Sequence, residues 1–265
     1  MSSIITGAIS ICLYLVSTGF ILKELKQKKI SHTTMYLAWL AVLSHLSYSG
    51  LLFTLNNGFN FSFFHTTSFI SSLIALLLLL TSLSKPVEKL GLAIFPFAAI
   101  MLSLDLAFSD NTQPQQLYSW QMNIHILTSI IAFSLLNIAA LQAILLAMQD
   151  KQLKNHQTSN ILHSFPPLQT METLLFQMIG AGVGFLTLSL ISGFVFIEDL
   201  FAQHLVHKTT LSIFAWLIFS GLLFGRTYYG WRGKTAMQWT LVGFVSLALA
   251  YLGSKFVLEL ILKTS

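Results

Sequence analysis

The sequence predicts an all-α fold, a polytopic bundle of about eight transmembrane helices, on three observations. Of the 265 residues, 55% are hydrophobic and only 9% are charged, where an ordinary soluble domain carries roughly a quarter charged residues. The mean hydropathy is +0.75, more apolar surface than a water-soluble chain of this length has interior to bury. Finally, a hydrocarbon core about 30 Å thick takes about 20 apolar residues per helix, and runs of that length recur between polar breaks along the whole chain.

Eight such runs are predicted, at residues 3–22, 34–55, 61–83, 87–108, 120–148, 172–197, 208–228 and 236–262, forming one integral membrane domain over 1–265. Turn-forming residues separate them: Asn56-Asn57-Gly58, Lys85-Pro86, the stretch from Ser109 to Ser119 with Pro114, Pro166-Pro167, and Gly225 to Gly233. No break is long enough for a separate soluble domain. The first run lacks a preceding basic region and a small-residue cleavage site, so it is expected to be retained as a helix.

Orientation follows from the basic residues, which stay on the cytoplasmic side. Loops one, three, five and seven hold Lys23, Lys26, Lys28, Lys29, Lys85, Lys89, Lys151, Lys154, Arg226, Arg232 and Lys234, eleven of the fourteen Lys and Arg. Only Lys208, Lys255 and Lys263 fall elsewhere, so both termini are expected outside, and the chain is placed in a bacterial inner (cytoplasmic) membrane as a multi-pass protein. The net charge of +5 thus reports topology, and no nucleic-acid partner is expected; the lipid bilayer is. Cys12 is the single cysteine and lies in the first run, which excludes a disulfide framework, a CxxC pair and a CxxCH heme-attachment site. No Walker A motif, nucleophile elbow or HExxH occurs, and Gly180-x-Gly182-x-Gly184 follows no strand, so together with Gly193 it marks close helix contact and not a dinucleotide site. The chain is expected not to be an enzyme.

Ionisable side chains at membrane depth mark functional sites. On this topology His65 lies just inside the outer end of the third run and His125 about five residues inside the outer end of the fifth. His204 and His207 lie in the outer loop before the seventh, and His45 falls near the middle of the second. His32, His156 and His163 belong to cytoplasmic loops. Four of the eight histidines therefore share one face. Neutral imidazoles can take the axial positions of a heme iron, and the spacing His204-x-x-His207 sets both rings on one side of a helix, suiting one metal ion or one heme ligand. The plainer alternatives are a solvated loop for His204 and His207, an interhelical hydrogen bond for His125, and packing or hydrogen bonding for His65 and His45. Asp105 and the pair Glu198-Asp199 either orient a histidine or merely mark the interface. Trp120, Tyr118 and Tyr251 suit an aromatic belt.

The blocks His125-Ile-Leu-Thr-Ser-Ile-Ile-Ala-Phe, Leu174 to Gly193 with Gly184-Phe-Leu-Thr-Leu and Ser192-Gly193, Lys208 to Trp216, Gly230-Trp-Arg-Gly-Lys234, Gly243-Phe and Tyr251-Leu-Gly253 resemble the cytochrome c assembly (CcsA-like) family, in its YpjD and HemX-type branch. The resemblance covers roughly the C-terminal half. It implies heme handling at the outer membrane face by paired histidines and a tryptophan-rich loop, with His125 at the position of one family heme histidine. Three departures stand out. The loop from Ile197 to Lys208 contains no tryptophan and no WWD signature, Arg226 stands where members often have histidine, and no histidine follows Gly253 to supply a second outer ligand. The expectation is therefore a heme-binding or heme-handling membrane protein without the full docking loop. Its pocket is centred on His125 and completed by His204 or His207 as iron ligands, with His65 on the same face. The alternative is a heme-free scaffold or regulatory subunit of a partner membrane protein or of heme biosynthesis, docking through the basic segment from Arg226 to Lys234 with Trp231. A transporter ranks last, since no matching pair of broken helices appears in two halves.

Overall fold

The computed structural model describes residues 2–25, 27, 30–55, 62–108, 119–155, 166–196 and 203–253. Among these the chain is helical. Helices α1 (Ser2–Glu24), α2 (His32–Leu55), α3 (Phe63–Ser82) and α4 (Gly91–Phe108), the last preceded by a 3₁₀ turn at Glu88–Leu90, form an N-terminal unit. Helices α5 (Trp120–Lys154), α6 (Leu168–Phe196), α7 (Gln203–Tyr229) and α8 (Gly233–Ala248), followed by a π turn at Leu249–Gly253, form a C-terminal unit. Seven described helices are long and apolar enough to cross a membrane. α8 carries the eighth predicted run as far as Gly253, and the remainder of that run lies outside the described residues.

The helices match the apolar runs because a backbone in hydrocarbon must satisfy its own hydrogen bonds, and a helix does so within one segment. The differences sit at the ends. α5 continues six residues past the predicted limit, through Gln149 to Lys154, where an Asp150–Lys154 pair at i, i+4 supports the last turn. α6 begins at Leu168, directly after Pro166-Pro167, and α7 at Gln203, ahead of the predicted start. Lipid-facing positions such as Ile5, Leu15, Leu40, Ile100, Leu188 and Phe214 are exposed, as apolar side chains with lipid for solvent should be.

In the N-terminal unit α1 packs on α2 and α4, and α3 on α4 and α2. Its basic end is closed by two polar clamps. Glu24 accepts from the Ser31 backbone N–H at 2.9 Å, the Ser31 hydroxyl at 2.7 Å and the Thr34 hydroxyl at 3.1 Å, tying α1 to the start of α2. The buried Lys89 ammonium donates to the Leu25 and Gln27 carbonyls at 3.3 and 2.9 Å, covering carbonyls that the end of α1 leaves unpaired. Lys89 is therefore a structural group as well as a topology signal.

In the C-terminal unit α5 packs on α6 and α8, and α7 on α6 and α8. Of the four α6 glycines expected at a close contact, Gly193 approaches His125 and Gly182 approaches Leu136. A Cβ there would meet Leu136 Cγ on α5 at 2.7 Å, whereas Gly180 and Gly184 face open space. The turn between α7 and α8 uses Gly230 and Gly233 at φ 66° and 53°, a region other residues enter only with strain. Gly182→Val is expected to lower stability by about 1–3 kcal/mol through overpacking, while Gly184→Ala leaves it unchanged or raises it slightly through helix propensity. Thermal unfolding of both variants in detergent checks this, and equal melting points would contradict the α5–α6 packing.

Candidate functional site

His125 sits on the sixth residue of α5, about 8 Å along the axis from the helix start at 1.5 Å per residue. Its ring lies against α6. Nδ1 is 2.9 Å from the Ser189 carbonyl oxygen and 3.2 Å from the Ser192 hydroxyl. A carbonyl only accepts, so Nδ1 carries the proton and Nε2 keeps its lone pair. Nε2 enters no hydrogen bond among the described residues. Gly193 makes room for the ring: a Cβ there would come within 3.1 Å of His125 Cε1.

The support extends below the ring. Ser192 donates to the Ser189 carbonyl at 2.9 Å, Ser129 donates to the His125 carbonyl at 2.6 Å, and the Ser129 and Ser189 hydroxyls meet across the α5–α6 interface. The Tyr251 hydroxyl reaches the same two serines, and its ring stacks on Phe133 at 5.2 Å. Sequence reasoning assigned Tyr251 to an aromatic belt. The π turn instead carries it into the unit, where its hydroxyl joins the serine pair. The fixed tautomer, the glycine gap and this serine–tyrosine floor are the arrangement expected of an imidazole that offers Nε2 to a metal.

The other predicted residues are placed as follows. α7 starts early enough to make the His204–His207 segment helical, with His207 exposed on its fifth residue and the His204 side chain outside the described residues. Glu198 and Asp199 are also outside them. His65 belongs to the N-terminal unit, where it is buried and its Nδ1 is 3.1 Å from Asp105 Oδ2. Asp105, expected at the interface by one reading, is fully buried. His45 is buried with both ring nitrogens engaged, by the Tyr14 hydroxyl at 3.4 Å and the Ser68 hydroxyl at 3.0 Å. His32 is exposed, and His156 and His163 lie outside the described residues. Among the described residues no three His, Cys, Asp or Glu side chains gather to hold a metal ion. A lone imidazole such as His125 suits an iron whose equatorial ligands come with it, as in heme, rather than a free ion needing several protein donors.

The basic segment proposed as a docking surface is tied inward. Arg226 Nη1 and Arg232 Nε both reach Glu172 Oε1, at 2.9 and 3.1 Å, and the Arg226 guanidinium lies 4.7 Å over the Phe176 ring. Trp231 packs so closely on Gly225 that a Cβ there would overlap the indole at 2.3 Å. Arg226, standing where the family resemblance led one to look for histidine, is thus a clamp between α6 and α7. An open groove of about 460 Å³ on α7 and α8, lined by Phe214, Leu217, Ile218, Gln238, Trp239 and Val242, contains no titratable side chain.

Fold and site together define a multi-pass integral membrane protein with an oriented histidine held between two helices. The chain belongs to the cytochrome c assembly protein family, whose model matches residues 29–262. It is 34% identical over 207 residues to the inner membrane protein YpjD of Escherichia coli K12, covering 78% of each chain. It is 28% identical over 187 residues to the cytochrome c biogenesis protein CcsA of Guillardia theta, covering 64% of this chain and 62% of that one. A 28.8 kDa protein of Azospirillum brasilense is 29% identical over 143 residues, 53% of each. No solved structure matches. Like YpjD, the chain is a protein of the inner membrane.

The Glu172 clamp makes a ranking. Glu172→Ala leaves two arginines without their acceptor and is expected to cost on the order of 1–3 kcal/mol. Arg232→Ala, whose side chain is 54% exposed, should cost well under 1 kcal/mol after solvent screening. Thermal melts showing Arg232→Ala to be the more damaging change would contradict the assignment.

Proposed function

We propose that this protein binds and handles heme on the membrane side opposite its basic loops, with His125 Nε2 as an iron ligand. The observation that supports it most is the Nδ1–H bond to the Ser189 carbonyl, which fixes the tautomer and leaves Nε2 basic and unengaged among the described residues. Bound there, heme would supply the iron, and His125 Nε2 would hold it. What this chain does is orient the imidazole, through Ser189, Ser192 and the space at Gly193, and bury one side of it between α5 and α6.

A second donor from the same unit is His207, with His204 one turn before it on α7. The outer loop lacks the tryptophans that the family resemblance ties to docking, so the reading is of a protein that holds or passes heme and does not itself perform cytochrome c synthesis. The CcsA relatives, named for cytochrome c biogenesis, and the family model support the heme class. For the scaffold reading, Glu172 holds Arg226 and Arg232 of the docking segment, and Arg232 and Lys234 remain exposed.

Protein purified in detergent from heme-replete cells should show a Soret band and about one heme per chain by pyridine hemochrome. His125→Ala should remove most of it, and Gly193→Ala, by pushing a methyl against the ring, should reduce occupancy several-fold with the helical content unchanged. His207→Ala tests the second donor by a shift in the band. Heme-free wild-type protein would overturn the reading.

A further inference from the structure

The N-terminal unit contains a polar cluster that the heme reading does not use. Asp105 on α4 is fully buried. Its Oδ2 accepts from the Tyr48 hydroxyl on α2 at 3.1 Å and faces His65 Nδ1 on α3 at 3.1 Å. Its Oδ1 is buried with no hydrogen-bond partner. One layer deeper, His45 on α2 joins the Tyr14 hydroxyl of α1 to the Ser68 hydroxyl of α3, and its ring lies 6.4 Å from that of Tyr48, which lies 6.4 Å from that of His65. All four helices of the unit contribute a titratable side chain.

Charge decides what this cluster lacks. An ionised Asp105 beside a neutral imidazole leaves one negative charge at membrane depth, where an unpaired charge costs several kcal/mol. The groups facing Asp105 are Tyr14, His45, Tyr48 and His65. Lys23 and Glu24 of α1, and Glu88 and Lys89 before α4, stand at the opposite ends of their helices. No lysine or arginine among the described residues of the unit faces the carboxylate. Nor does a third His, Cys, Asp or Glu stand ready to complete a metal site. The compensating cation must be small, and the positions open to it are Asp105 Oδ1 and His65 Nε2, neither of which has a hydrogen bond among the described residues.

We propose that the Asp105–His65 pair is a proton-binding site, exchanging one proton with the membrane face at the start of α3 and closed toward the other face. A hydronium ion gives its proton to His65 Nε2 and leaves as water. The neutral imidazole becomes an imidazolium whose Nδ1–H still donates to Asp105 Oδ2, and the cluster passes from one negative charge to none. His65 is the third residue of α3, so entry is from that end. On the other side Tyr14 stacks on Phe95 at 5.8 Å, and Ile21, Leu78 and Ile94 are buried together with the uncharged hydroxyls of Ser17, Ser71 and Ser72. The site is independent of heme, and its loss would leave the His125 reading standing.

The test is infrared difference spectroscopy of the full chain in lipid, with the buffer switched between acid and alkali. Wild type should show imidazole-ring and carboxylate bands that change together. Asp105→Asn should remove the carboxylate part, and His65→Gln the imidazole part; circular dichroism controls for folding in both. Spectra of Asp105→Asn and His65→Gln that match wild type overturn the proposal. In sealed proteoliposomes with a trapped pH dye, proton leak should equal that of protein-free vesicles. A leak that Asp105→Asn abolishes would overturn the closed side.

Discussion

Hydrocarbon offers no hydrogen bonds, and in this chain nearly every structural decision answers to that. A soluble protein can leave a serine or a helix end to water. Here the same groups must find partners inside the fold, so the polar residues that survive in the spans become the contacts that set how helices face one another. Ser10 donates to the Ala41 carbonyl, Trp216 to Thr187, Gln142 to the Met171 carbonyl and Ser246 to the Leu211 carbonyl, each joining two helices. Apolar packing between helices gains little against lipid, which is as apolar as leucine. The directional bonds therefore choose among packings that dispersion alone would leave close in energy.

The same constraint explains why the two histidine sites differ. His125 is half-buried and spends one nitrogen on a backbone carbonyl, a neutral acceptor that adds no charge to the membrane. A ring fixed this way keeps a neutral lone pair on Nε2. His65 is buried against a carboxylate, and that pair carries a charge of its own to be neutralised. A carbonyl partner suits ligand binding, and a carboxylate partner with an orphaned oxygen suits a cation. Both rings come from the same residue type, and what separates them is the acceptor at Nδ1.

Depth was legible in the sequence and facing was not. Runs of twenty apolar residues have no competing explanation, so seven of the eight predicted spans appear as helices within a few residues of their expected limits. The errors at the ends have local causes, such as the polar but helix-favouring tail of α5. Tyr251 was misplaced, and Asp105 left between orienting a histidine and marking the interface, for another reason. Hydropathy places a residue along the membrane normal, and both stand near an expected interface, but whether they point outward depends on rotation about the helix. Tyr48 and His65 turn Asp105 inward across separations of 57 and 40 residues. The partner of His125 is 64 residues away, and no pattern within α5 alone names it. Ser192-Gly193 was the available signal, since a small pair opposite a histidine gives it both an acceptor and room.

The arginine clamp shows how a departure from family pattern can be read physically. A guanidinium is planar, permanently charged and able to serve a carboxylate while stacking on a ring, and Arg226 does both, toward Glu172 and Phe176. A histidine in its place could ligate, but it could not hold two helices to one carboxylate while Arg232 shares the same oxygen. The basic end of the C-terminal unit is thereby given over to structure, with Trp231 seated on Gly225 to close the turn. That leaves His125, near the other end of the unit, as its half-buried imidazole among the described residues. The unit thus fixes one end by ion pairing and keeps an imidazole nitrogen unspent, among the described residues, near the other.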